Sequence, residues 1–203
     1  MSYFAFGLFR ATAPSYRQQD TFTDANGTAI LSHTPDVGPS WSVISGLTPT
    51  TPPTIQSNKL SASANSGQGG YYANVSAADV TLQLTGRPGI NNCHLGFIFR
   101  YTNSTNYWKA FVWPFSGASQ STLEFSEVNG GTTTQRAWIN PATNFSPTAD
   151  ITVVLVLSGT SLTFTAGTDS TNYTSSFNQT ATRHGFYYWP KGATFTIDDY
   201  TAV

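Results

Sequence analysis

The chain has 203 residues, 39% hydrophobic and 14% aromatic, with only 9% charged and a formal net charge of -1. Charged residues make up roughly 25% of an ordinary soluble domain, so the polar surface here must come from Ser, Thr, Asn and Gln, and no run of one sign supplies the footprint of a binder of duplex nucleic acid or of an anionic membrane. The aromatic and β-branched content suffices for a packed core, which excludes a disordered chain, and the length suits one large β domain.

The first nineteen residues, "MSYFAFGLFRATAPSYRQQ", are apolar and aromatic through Tyr3, Phe4, Phe6, Leu8 and Phe9. Arg10 and Arg17 follow the apolar run rather than precede it, which is the wrong order for a secretion signal, and no stretch approaches the ~18 apolar residues of a membrane span. Left loose, this segment would expose a sizeable apolar patch. Residues 1–19 are therefore expected to form an arm that docks on its own domain or on a neighbour, with the domain occupying residues 20–203.

"DTFTDANGT", from Asp20, has the look of a calcium loop. Aligning Gly27 with the EF-hand glycine puts Asp24 and Asn26 at ligand positions but Phe22 and His33 at the first and last, so the EF-hand reading fails. A metal and a plain turn both stay open here. Beyond it, "LTPTTPPTIQSNKLSASANSGQGGYY" predicts long connections around a short strand near Ile55 and Leu60. A series of strands follows: "VTLQLTG", "HLGFIFRY", "YWKAFVWPF", "STLEFSEVN", "TTTQRAWI", "DITVVLVLSG", "SLTFTAG", "HGFYYW" and "TFTIDDYTAV". Asn129-Gly130-Gly131 and Ser158-Gly159-Thr160 supply tight hairpin turns. "ITVVLVL" is apolar almost throughout and predicts burial on both faces, whereas "TLEFSEV" alternates and predicts one wet face. Two layers of antiparallel sheet follow.

Few residues suggest catalysis. Cys93 stands alone and predicts an inert, half-buried thiol. Glu124 and Glu127, the only glutamates, are three apart and so face opposite sides of a strand; exposed charges paired with Arg100 or Arg136 are the simplest expectation. His33, His94 and His184 show no ligand spacing. Aromatics are the richer signal: neighbours such as Tyr107 and Trp108 must point to opposite faces. Tyr72, Trp108, Trp113, Tyr188 and Trp189 are accordingly candidate rings for stacking on a glycan or anchoring a protein interface.

The order of "DTFTDANGTAILSHTPDVGPSWSVISG", "NKLSAS", "LGFIFRYTNSTNYWKAFV", a Glu-containing strand, "LVLSGTSLTFTAG", "TRHGFYYW" and "FTIDDYTAV" resembles the concanavalin A-like or LamG-like jelly roll over about residues 20–203. It is similar, more narrowly, to the jelly-roll modules of bacteriophage structural proteins and bacterial surface proteins. The resemblance implies an all-β, two-sheet antiparallel sandwich whose opening strand pairs with its closing strand, bringing Phe22 to the core face of Phe195, Ile197 and Tyr200. Related carbohydrate-binding jelly rolls hold a structural calcium between the terminal strands, which carries over to Asp20, Asp24 and Asp198 or Asp199; no cofactor is otherwise required. Glycosidases of this fold carry a pattern like E-x-D-x-x-E on one strand, which "LEFSEV" lacks.

These readings lead to a non-enzymatic virion structural protein at the surface of a phage particle: a capsid decoration, head-fibre or tail-surface protein. The arm would attach it to other virion proteins or to sister subunits of a homo-oligomer. The alternative is a carbohydrate-binding module recognising host-surface glycans. Neither nucleic acid nor membrane is expected as a partner.

Overall fold

The computed structural model describes residues 15–115 and 120–203. The expected attachment residues Tyr3, Phe4, Phe6, Leu8 and Phe9 lie outside the described residues. In chain order the strands are β1 (Gln18–Asp20), β2 (Ser42–Val43), β3 (Thr54–Ile55), β4 (Leu60–Ala62), β5 (Gly69–Asn74), β6 (Val80–Arg87), β7 (His94–Asn103), β8 (Asn106–Trp113), β9 (Thr122–Asn129), β10 (Thr132–Ile139), β11 (Ile151–Ser158), β12 (Ser161–Ala166), β13 (Asp169–Thr174), β14 (Arg183–Trp189) and β15 (Phe195–Ala202). Among the described residues there is no helix.

Two antiparallel sheets form a sandwich. The eight-stranded sheet runs β13-β12-β11-β6-β15-β4-β3 with β1 beside β15, and the seven-stranded sheet runs β10-β9-β8-β7-β14-β5-β2. The first strand does pair with the last, Asp20 opposite Tyr200. Pairing begins earlier than the sequence suggested, because Gln18 is opposite Ala202 and Arg17 N–H donates to the Ala202 carbonyl at 2.8 Å. Both hairpin turns form as expected: Gly130 and Gly131 take φ of 58° and 82° between β9 and β10, and Gly159 takes 55° between β11 and β12.

Inward-facing residues of both sheets make the core. Phe22, Trp41, Phe186, Phe195, Ile197 and Tyr200 belong to it, with the Trp41 ring meeting Phe186 and Tyr200 edge-on at 4.9 and 5.0 Å. Phe22 reaches this layer although its backbone sits in the left-handed region, φ 51°.

Two burial expectations come out reversed. In β11, Thr152 and Val156 are exposed, so the apolar run "ITVVLVL" has a wet face after all. In β9, by contrast, all residues from Leu123 to Val128 are buried, including Glu124 and Glu127, which had been expected as exposed charges. For the outward residues Glu124, Ser126 and Val128 the physical reason is a second apolar layer on the outside of the seven-stranded sheet, where Ile44, Leu47, Ile98, Tyr101, Tyr107, Phe111, Val128 and Tyr187 form a separate cluster, whereas Glu127 points inward beside Trp108. Strand alternation tells which residues share a face; it does not tell whether that face is covered.

Candidate functional site: the outer face of the seven-stranded sheet

Residues directly opposite one another on paired strands share a face, so the register lays out this surface in rows. One row crosses six strands as Gly70, Tyr187, Gly96, Phe111, Glu124 and Trp138. The next runs Tyr72, Gly185, Ile98, Lys109, Ser126 and Gln135. A third brings Trp189 opposite His94. At ~4.8 Å per strand each full row spans about 24 Å, enough for several sugar rings or a short peptide. The glycines are needed: a Cβ on Gly96 would lie 2.0 Å from the Ala110 carbonyl oxygen, and one on Gly185 would lie 1.9 Å from that of Tyr71.

His94 is the hub. It stacks on Phe111 at 4.7 Å and on Trp113 at 4.8 Å, and Trp189 meets it edge-on at 5.0 Å. Burial, reinforced by the nearby ammonium groups of Lys191 and Lys109, pushes its pKa down to about 2. The ring is therefore neutral and too weak a base for proton abstraction. Its tautomer follows from its partners: Tyr187 Oη donates to Gln68 Oε1 at 3.2 Å, so His94 Nδ1–H donates to Tyr187 Oη at 3.2 Å. Nε2 is then a bare acceptor, and among the described residues it is buried without a hydrogen-bond partner, as is the Trp113 indole N–H.

Charge is placed with equal care. The Lys109 ammonium lies 5.2 Å from the Tyr187 ring centre and 5.8 Å from that of Phe111, a cation–π geometry. Burial lowers its pKa, and the Glu124 carboxylate partly offsets this. Glu124 accepts from the Ser126 hydroxyl and, at 2.8 Å, from the Gln135 amide. Glu127 faces the opposite side, beside Trp108 in register, and binds Arg136 Nε and an Arg136 terminal N–H at 3.1 Å each.

Of the aromatic candidates, Tyr72, Trp113 and Trp189 are half-buried on this outer face. Trp108 and Tyr188 are corrected to core residues: both are fully buried between the sheets, because each is the inward member of an adjacent aromatic pair. Sequence reasoning missed Trp138, 54% exposed at the end of a row, together with His94, Lys109 and Gln135. Alternation in "QRAWI" could have flagged Trp138; the others are recognisable only from register. Beside Tyr72, a depression of about 310 Å³ is lined by Asn74, Tyr101, Thr102 and Thr180 to Arg183.

The four aspartates behave differently from one another. Asp20 is fully buried and its oxygens are engaged: Oδ1 accepts from Phe22 N–H and meets His33 Nε2, each at 2.8 Å, and Oδ2 accepts from the Trp41 indole at 2.6 Å. Asp24 is exposed and 3.4 Å from His33 Nδ1. Asp198 pairs with the Lys59 ammonium at 2.7 Å, and Asp199 is exposed beyond a bulge. This arrangement does not fit a calcium ion, whose 6–8 oxygen ligands must be free to turn inward. Among the described residues no group of three or more His, Cys, Asp or Glu side chains is disposed to hold a metal.

Neither a protein-family model nor a curated protein matches the sequence. Solved structures do match in shape. The GH43 protein BlXynB of Bacillus licheniformis aligns with 95% of this chain at TM-score 0.60 and 10% identity, and the chain spans 40% of that protein. The CBM2 module of the evolved Dit of Lactobacillus casei BL23 phage J-1 aligns at TM-score 0.58 and 12% identity, covering 91% of this chain and 95% of the module. A Bacillus licheniformis beta-glucanase aligns at TM-score 0.58 and 11% identity, with 91% and 96% covered. At such identities the likeness is one of fold: the chain has the two-sheet, antiparallel jelly-roll sandwich of the concanavalin A-like kind.

Proposed function

We propose that the protein is a non-catalytic carbohydrate-binding jelly roll that holds a saccharide on the outer face of its seven-stranded sheet. The observation that carries this reading is the set of cross-strand rows in which exposed Trp138 ends one row, half-buried Tyr72 ends the next, and half-buried Trp189 opposes His94, on which Trp113 stacks, all beside side chains that hydrogen-bond. Ring faces suit the apolar faces of sugars, and Gln135, Ser126 and Lys109 suit their hydroxyls. The carboxylates favour binding over hydrolysis: Glu124 and Glu127 face opposite sides and each is already hydrogen-bonded, whereas two-carboxylate hydrolysis needs both flanking one bond. A glycan array with the full chain should give saturable binding that Trp138→Ala weakens. No saturable binding to any glycan overturns the reading.

A display role on a phage particle is supported by the shape match to a phage Dit module and by the Ser/Thr/Asn-rich, weakly charged surface. In that role, the apolar residues 3–9 of the arm expected over residues 1–19 attach the domain to other virion proteins or to sister copies. Deleting them should abolish incorporation into particles and leave the domain folded; normal incorporation of the truncated chain overturns the attachment.

A further inference from the structure

Among the described residues the cations fall into two groups. Lys59, Arg87, Arg100 and Arg136 lie 2.7, 2.8, 3.7 and 3.1 Å from the carboxylates of Asp198, Asp150, Asp79 and Glu127. Lys109, Arg183 and Lys191 have no ion pair, and each stands over a ring of the same outer face: 5.2 Å from the centre of Tyr187, 5.7 Å from Tyr72 and 3.9 Å from Trp189. Arg17, the remaining described cation, adjoins β1 in the other sheet. The chain has ten acidic residues, so this is no shortage of carboxylates. Glu124 is the carboxylate in the rows of this face, and its oxygens are taken by Ser126 and Gln135.

Leaving a half-buried ammonium without an anion costs free energy that an arriving anion recovers. The three cations also form a line. Arg183, Tyr187 and Trp189 belong to one strand, β14, and at ~3.3 Å per residue the span from Arg183 to Trp189 is about 20 Å. Lys109 reaches Tyr187 between the two ends, across the gap left by Gly96. A neutral oligosaccharide would use the rings and leave all three cations without a counter-charge. A chain with a negative group on successive repeats would use both.

We infer that the ligand is a linear anionic saccharide lying along β14, with its carboxylate or phosphate groups on Lys191, Lys109 and Arg183 and its sugar faces against Trp189 and Tyr72. This rests on the glycan-binding reading and narrows it. Calorimetric titration of the full chain compares oligogalacturonate, a glycerol-phosphate oligomer and a neutral cello-oligosaccharide, at low and near-physiological salt. One anionic class should bind, identifying whether carboxylate or phosphate is read, and its affinity should fall roughly tenfold with added salt. Lys191→Gln and Arg183→Gln should each weaken it several-fold with an unchanged melting temperature, and so serve even if Lys109→Met disturbs folding. Equal binding of the neutral oligomer, insensitive to Lys191→Gln and Arg183→Gln, overturns the inference and leaves glycan binding standing. Tighter binding of a single-stranded oligonucleotide than of any saccharide overturns it too. Binding of no saccharide overturns both.

Discussion

The Trp41 indole N–H donates to Asp20 Oδ2 at 2.6 Å, tying the loop that follows β1 to the first strand from inside the sandwich. Burial nevertheless holds the Asp20 pKa above its usual range, with the bonds from Trp41, His33 and Phe22 offsetting part of the cost. Asp20→Ala would leave buried donors on Trp41 and Phe22 without an acceptor, a cost of about 2–6 kcal/mol at ~1–3 kcal/mol per group. Asp20→Asn keeps an acceptor and should cost less. Urea unfolding of both variants checks the order.

His184 is fully buried; its Nδ1 accepts from Arg100 N–H at 3.2 Å, so its proton sits on Nε2 and donates to the Ala77 carbonyl at 2.9 Å. Burial pushes its pKa down to about 4, and that of His94 to about 2. The unfolded chain therefore binds more protons than the folded one below about pH 6.5, and the stabilisation present above that pH is lost as pH falls toward each folded value. The urea midpoint should be flat near neutrality and decline on acidification, by up to about 1.4 kcal/mol per pH unit for each histidine. His184→Gln should be less stable at pH 7 with a shallower acid slope; an unchanged slope would contradict the assignment.

Tyr200 is fully buried, and its hydroxyl has no hydrogen-bond partner among the described residues. Tyr200→Phe removes that hydroxyl and keeps the ring contacts with Trp41 and Phe186. The variant should gain about 1 kcal/mol, or roughly 2–4 °C in Tm for a chain of this size. A lower Tm in a thermal melt would count against it.

Gly185→Ala tests how tightly β14 and β5 approach. The added Cβ would lie 1.9 Å from the Tyr71 carbonyl oxygen and 2.7 Å from the Tyr72 Cα, both backbone atoms that cannot swing aside. The variant should lose about 3 kcal/mol, at the upper end of overpacking costs, and the outer-face row that crosses Gly185 should be displaced. Circular dichroism melts and ligand titration together read both effects.

Trp138→Ala should do the opposite. The ring is 54% exposed and in register with Glu124, so removing it should leave Tm within about 1 °C, as for most surface changes, while weakening saccharide binding several-fold.

The sequence by itself determined the local chemistry of the fold. Period-2 alternation, Gly130-Gly131 and Gly159 specified strands and hairpins, and Phe22 with Phe195, Ile197 and Tyr200 marked the core that joins the chain's two ends. It also established that Glu124 and Glu127 face apart, since that follows from strand geometry alone. What only the tertiary structure decided was which faces are covered and which side chains meet. β9 has a covered outer face because a second aromatic layer grows on its sheet from residues contributed by distant strands, whereas β11, in the other sheet, keeps a wet face. The rows joining Tyr187, Phe111, Glu124 and Trp138 depend on strand order and register across β14, β7, β8, β9 and β10, with up to tens of residues between neighbours. A single strand carries its own pleat, but not the identity of the strand beside it. The site is a property of that pairing.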